Sequence, residues 1–185
     1  IFNDVPPSHW GYIYIEDLAK KGVLEVDYYF HPNRFMTRAE VTKVLVMATT
    51  GVRDDQFSEE ELFPLVDESQ EFNDGRFAKD PSFTDVKPED WYYTYIETAK
   101  LNGMIDGYAD RTFRPLELVS RAEAVKMVIN ALGVDQSGKA KGYFRDCDRN
   151  AWYHVFVTAA YNQGIITGKL DSQGRRKMLF GPGEK

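Results

Sequence analysis

Cysteine is almost absent from this chain of 185 residues: Cys147 stands alone, which excludes an internal disulfide and any multi-cysteine zinc site. No apolar run approaches the roughly 18 to 20 residues needed to cross a bilayer. Nothing at the N-terminus resembles a signal peptide, and the abrupt opening on Ile1 is that expected of a fragment or mature product. A basic surplus is missing too, since the formal charge of −6 disfavours a nucleic-acid partner. The three histidines, His9, His31 and His154, lack any recognised metal-ligand spacing, and Cys147 has no nucleophile context. Asp106 to Glu117 has the length of a calcium loop, but Tyr108 and Arg111 stand where an oxygen ligand and a glycine are needed. No catalytic residue, metal or cofactor is expected, and the chain is read as a non-enzyme. Its 43% hydrophobic and 28% charged residues are those of a globular protein.

What the chain has instead is internal repetition. Phe-x-Asp begins at Phe2, Phe83 and Phe144; Trp follows eight residues after each Phe, at Trp10, Trp91 and Trp152. Gly follows twelve after each Trp, at Gly22, Gly103 and Gly164. The intervening pattern predicts a helix, with Ser8, Asp90 and Asn150 as its caps and with apolar residues at helical spacing: Trp10, Tyr14, Ile15 and Leu18, then Trp91, Tyr95, Ile96 and Ala99, then Trp152, Phe156, Val157 and Ala160. The glycines are the expected left-handed stops. A loop then closes on Phe30-His31-Pro32, Phe113-Arg114-Pro115 and Phe180-Gly181-Pro182.

In the first two repeats a second helix is predicted just beyond, opened by capping boxes in which Thr37 pairs with Glu40 and Ser120 with Glu123. Its apolar stripes are Val41, Val44, Leu45, Ala48 and Ala124, Met127, Val128, Ala131, with Gly51 and Gly133 as stops. The third repeat has three residues after Pro182 and no such helix, so apolar surface should be exposed, and truncation of a longer chain is the simplest explanation. The expected organisation is repeat 1 over 1–52, an acidic connector over 53–82, repeat 2 over 83–134 and a partial repeat 3 over 135–185. Ser58, Glu61 and Pro64 bound one short helical turn in the connector, which otherwise reads as a solvated loop or a cover for a repeat face or partner.

Both second helices carry an arginine at their first position, Arg38 and Arg121, where the electropositive helix end disfavours a cation. On the residues alone, internal pairing is the simplest explanation, with Asp4, Asp85 or Asp146 as partners. A Trp that opens an amphipathic helix is likewise more often core than exposed.

The repeated Phe-x-Asp, Trp and Gly, the Asp106-Gly107-Tyr108 loop leading into Phe113-Arg114-Pro115, and the Thr/Ser-Arg-Ala-Glu box together resemble the S-layer homology family over nearly the whole chain except the connector. The resemblance implies a mainly α fold of tandem helix-loop-helix repeats, set as a pseudo-threefold prism around a helical bundle with grooves between repeats. It implies an extracellular location at the cell wall or S-layer. It also implies noncovalent attachment to a cell-wall polysaccharide or peptidoglycan-linked polymer, in many members one whose sugar carries a ketal-linked pyruvate. On that footing Arg38 and Arg121, beside Thr37 and Ser120, are expected to hold an acidic substituent at a helix N-terminus. Trp91 and Trp152 are expected to stack on sugar, Gly107 and Gly168 to allow close approach, and Glu40 and Glu123 to cap. The rival is a structural role in which other surface-protein subunits are the partners and the repeats assemble a layer or filament. The first repeat departs from the pattern: Glu25-Val26-Asp27-Tyr28 replaces Asp106-Gly107-Tyr108-Ala109, and its loop is shorter. The third loop is longer, running from Gly168 through Arg175, Arg176 and Lys177.

Overall fold

The computed structural model describes residues 1–51, 81–139, 144–169, 173 and 179–184. The short helical turn expected at Ser58 to Pro64, most of the connector, and Arg175 to Lys177 lie outside them. The described residues form five helices and no strand: α1 Tyr12–Lys20, α2 Arg38–Thr50, α3 Tyr93–Leu101, α4 Arg121–Ala131 and α5 His154–Asn162. The fold is mainly α, as the repeat pattern implies.

α1, α3 and α5 are the first helices of the three repeats. They begin later than expected, with Gly11, Tyr92 and Tyr153 at the N-cap and no side-chain cap. Ser8, Asp90 and Asn150 instead lie in the preceding turns, where Asp90 accepts from the Lys87 amide. Trp10, Trp91 and Trp152 are therefore in turns rather than in the helices, with rings outside the core. Their other ends match expectation. Gly22, Gly103 and Gly164 adopt φ of 73°, 66° and 73°, and the amide after each bonds back to the helix, as Val23 N does to Leu18 O at 2.9 Å.

The Phe-x-Asp and Phe-x-Pro motifs clamp each other. In repeat 2 the Asp85 carboxylate accepts from Phe113 N and Arg114 N, both at 2.7 Å. Asp4 does the same for Phe30 and His31, and Asp146 for Phe180 and Gly181. The paired rings lie beneath, with centroids 5.4, 5.3 and 5.8 Å apart in the three repeats. The bidentate bond holds the residue before each proline in the left-handed region, at φ 58° for His31 and 59° for Arg114. That conformation is costly for a side chain with a Cβ. The aspartates are thus taken up by backbone amides, and among the described residues none of the three pairs with Arg38 or Arg121.

Both capping boxes form: Glu40 N donates to Thr37 Oγ1 and Glu123 N to Ser120 Oγ, while each glutamate accepts from its cap residue's amide at 2.8 Å. The second helix of each repeat packs on the first helix of the next, α2 on α3 and α4 on α5, and α2 also packs on α4. Central placement explains why α2 and α4 bury more than one stripe. Ala39, Thr42, Val46 and Met47 are buried in α2, and Ala122, Val125, Met127 and Ile129 in α4, whereas Ala48 is exposed. In repeat 1 Trp10, Ile13 and Tyr14 are exposed. Tyr95 of α3, the counterpart of Tyr14, is buried against the core that α2 helps to form.

Candidate functional site

The two repeat junctions are built alike. At the first, the loop of repeat 2 folds over the start of α2: Arg38 N and Ala39 N donate to Glu117 O and Pro115 O at 2.9 Å, and Val119 N to Met36 O. At the second, Arg121 N and Ala122 N donate to Glu184 O and Pro182 O. The amides expected to receive a ligand's acid are already satisfied by the chain's own carbonyls, and the Thr37 and Ser120 hydroxyls are occupied by the capping boxes.

The two arginines differ. Arg38 is 5% exposed. Its Nε donates to Phe113 O at 2.8 Å and its Nη1 to Glu123 Oε1 at 3.0 Å, while the guanidinium lies over the Phe113 and Tyr108 rings. Tyr108 OH also donates to Glu123, at 2.7 Å, and the Arg114 guanidinium covers its ring at 4.0 Å. The sequence expectation of an open Arg38 is corrected here: its Nε and Nη1 are spent on an internal carbonyl and carboxylate. Only Nη2, 3.5 Å from Asp106 O, is loosely held. Arg121 is half-buried over the Phe180 ring at 5.2 Å, and its buried Nε has no acceptor among the described residues.

Two grooves lie beside these junctions. The one between repeats 2 and 3 encloses about 330 Å³ and brings together Arg38, Gly107, Glu123 and Trp152 with Asp106 and Lys126. The one between repeats 1 and 2 encloses about 570 Å³ and includes Trp91, Glu40, Lys43, Glu25 and Tyr29. Arg121, Thr37, Ser120 and Gly168 line neither. Trp91 and Trp152 are each 54% exposed, against the reading of them as core. Gly107 has ordinary φ but could bear no Cβ, which would fall 2.3 Å from the Phe83 ring. Its smallness lets the motif's Phe pack beneath the loop. Gly168 does use the left-handed region, at φ 79°.

Sequence reasoning missed Lys43 and Lys126. Each stands three residues after its capping-box glutamate, one turn along the groove wall, and that shared register was the available signal. Lys126 Nζ lies 5.8 Å from the Trp152 ring centroid and 5.5 Å from Phe156, and pairs with Asp106 Oδ2 at 2.8 Å. Lys43 Nζ lies 6.0 Å from Trp91 and 5.6 Å from Tyr95, and pairs with Glu25 Oε1 at 2.8 Å. Lys126 holds the Asp106 carboxyl below its ordinary range, outweighing the opposing effect of burial. For Glu123, burial alone would raise the value, and hydrogen bonds from Ser120 and Tyr108 together with the Arg38 charge more than offset it. A cation over an aromatic face at a groove edge can hold an anion while the ring packs on an apolar sugar face. Among the described residues no cluster of three metal-ligating side chains occurs, and no helix is long and apolar enough to cross a membrane.

The S-layer homology domain family matches residues 1–42 and 82–125. Over 182 residues the chain is 26% identical to the cellulosome-anchoring protein of Acetivibrio thermocellus, covering 96% of this chain and 36% of that protein. It is 34% identical over 91 residues to an endoglucanase of Bacillus sp. (strain KSM-635), covering 49% and 9% respectively. With the surface-layer 125 kDa protein of Lysinibacillus sphaericus it shares 28% identity over 89 residues, 48% of this chain and 8% of that one. The chain thus spans well under two thirds of the length of each of these relatives.

Proposed function

Residues 1–42 and 82–125 belong to the S-layer homology domain family, a family of the cell surface and cell wall, and on that premise we propose that the chain is a non-catalytic anchoring module. Its ligand is an acidic cell-wall polysaccharide or peptidoglycan-linked polymer, with a pyruvate ketal as the acid. The observation that carries this reading is the repetition of one arrangement in both grooves: a half-exposed Trp beneath a lysine. A lone exposed Trp needs no explanation, whereas two in the same register with the same cation point to a shared ligand.

In this reading Trp91 and Trp152 stack on sugar, Lys43 and Lys126 meet the acid, and the loosely held Nη2 of Arg38 contributes from the groove wall. Arg121 lies outside both grooves and its Nε is buried, so it is given no part in this contact. Binding at two linked grooves gains from effective concentration, so modest affinity per groove is enough for attachment. The test is co-sedimentation with purified cell-wall polymer before and after removal of its acidic substituents. Loss of binding on removal is the expected result; equal binding would contradict the acid-dependent part.

A second reading is favoured by one observation. Ile13 and Tyr14 of α1 and Trp10 in the turn before it are exposed, whereas among the described residues α3 is covered by α2. Under this reading another surface-protein subunit covers these side chains and the module assembles a layer or filament. Light scattering across concentration separates the two: a monomer that binds polymer supports anchoring alone.

A further inference from the structure

In each groove the lysine already holds an acid, and the two partners differ sharply in shelter. The Lys126 side chain is 27% exposed and that of Asp106 56%; in the other groove the figures are 20% for Lys43 and 77% for Glu25. The cation is fixed against its aromatic wall while the carboxylate stands at the mouth. Resting on the glycan-binding reading above, we propose that Asp106 and Glu25 are internal placeholders for the ligand's carboxylate, displaced from Lys126 and Lys43 when a carboxylate-bearing sugar enters.

Three features make the exchange feasible. An exposed ion pair contributes little net stability, so releasing it costs little and a ligand carboxylate of the same charge replaces it one for one. The lysine does not follow its acid, because the Trp152 and Phe156 rings lie on its other side. Asp106 also has a second cation to turn to: its Oδ1 is 3.9 Å from Lys100 Nζ. The placeholder keeps a half-sheltered ammonium neutralised in the empty groove, which avoids an unpaired charge. It also sets a threshold, since a neutral sugar cannot replace the carboxylate and gains nothing from the lysine. The recurrence of the pair in repeat 1, with Glu in place of Asp on a different loop sequence, marks the acid as part of the arrangement.

The test uses isothermal titration of two probes: a methyl hexoside carrying a 4,6-pyruvate ketal, and the 4,6-isopropylidene counterpart that differs only in lacking the carboxylate. Asp106→Asn and Glu25→Gln should each tighten the pyruvylated probe about threefold, the scale of one exposed ion pair, and leave the neutral probe unchanged. Lys126→Met should reduce the preference for the charged probe. Weaker or unchanged binding of the charged probe in both acid-to-amide variants would overturn the placeholder role. If the wild-type chain still sediments with cell-wall polymer in that case, the anchoring reading survives. If it binds neither polymer nor probe, both fall. Matching unfolding temperatures for the variants exclude altered folding as the cause.

Discussion

Arg38 and Arg121 occupy the same place in the same sequence box at the start of equivalent helices, yet one is locked and the other is not. The difference lies in what the following repeat supplies. Repeat 2 offers Phe113 O, Tyr108 and the Glu123 carboxylate to Arg38, and leaves little of it exposed. Among the described residues, repeat 3 brings the Phe180 ring and a backbone turn against Arg121, whose Nε has no acceptor there. A repeated local motif therefore fixes where a guanidinium sits, whereas the neighbouring repeat decides whether it is bonded internally.

The largest effect that would sharpen this contrast is on stability. Arg38→Ala should destabilise by about 3 to 5 kcal/mol, because the buried Phe113 carbonyl loses its donor, the half-buried Glu123 loses its charge partner and the space of a buried side chain is emptied. Arg121→Ala should cost less than about 1 kcal/mol, since among the described residues its side chain makes only the contact with the Phe180 ring. Chemical denaturation of the two variants side by side makes the check; equal losses would break the comparison.

Next in size is the clamp common to all repeats. Asp85→Ala leaves the Phe113 and Arg114 amides without acceptors and Arg114 strained at φ 59°, at about 2 to 4 kcal/mol. The same change at Asp146 should be milder, because Gly181 adopts its φ of 70° without a Cβ penalty. Thermal unfolding of the pair gives the order, and a reversed order would contradict the role assigned to the clamp.

A smaller effect is expected from acid. Burial would raise the Asp146 carboxyl, and the Phe180 and Gly181 amides more than reverse that, so its value lies below the ordinary 3.8. A folded value below the unfolded one means stability that is present above pH 3.8 and lost as pH falls through the lowered value. Asp146→Asn should therefore flatten the fall in unfolding temperature below that pH. An unchanged slope would remove Asp146 from the account.

The local part of this fold was legible in the sequence. The Thr37 and Ser120 boxes and the stops at Gly22, Gly103 and Gly164 depend on residues within one or two helical turns, and each formed as read. The first-helix caps were misread because Ser8 and Asp90 are good turn formers as well as good caps, and here the turns won. Contacts across long stretches of chain were not legible. The Asp85 clamp spans 28 residues and the Arg38 bonds 75 and 85, so a rule about helix ends could not reveal that the arginine's partner sits in the next repeat. For the candidate site, Trp91, Trp152 and Gly107 line the grooves, and Lys43 and Lys126 went unnoticed. Their aromatic and acidic neighbours come from separate elements that only folding brings together.

Co-sedimentation with purified cell-wall polymer, comparing the wild-type chain with a Trp91→Ala, Trp152→Ala double variant of matched unfolding temperature, tests the central claim most directly. The account predicts that the folded double variant stays in the supernatant while the wild type pellets with the polymer. Undiminished pelleting of the variant would contradict the assignment of the inter-repeat grooves as the attachment site.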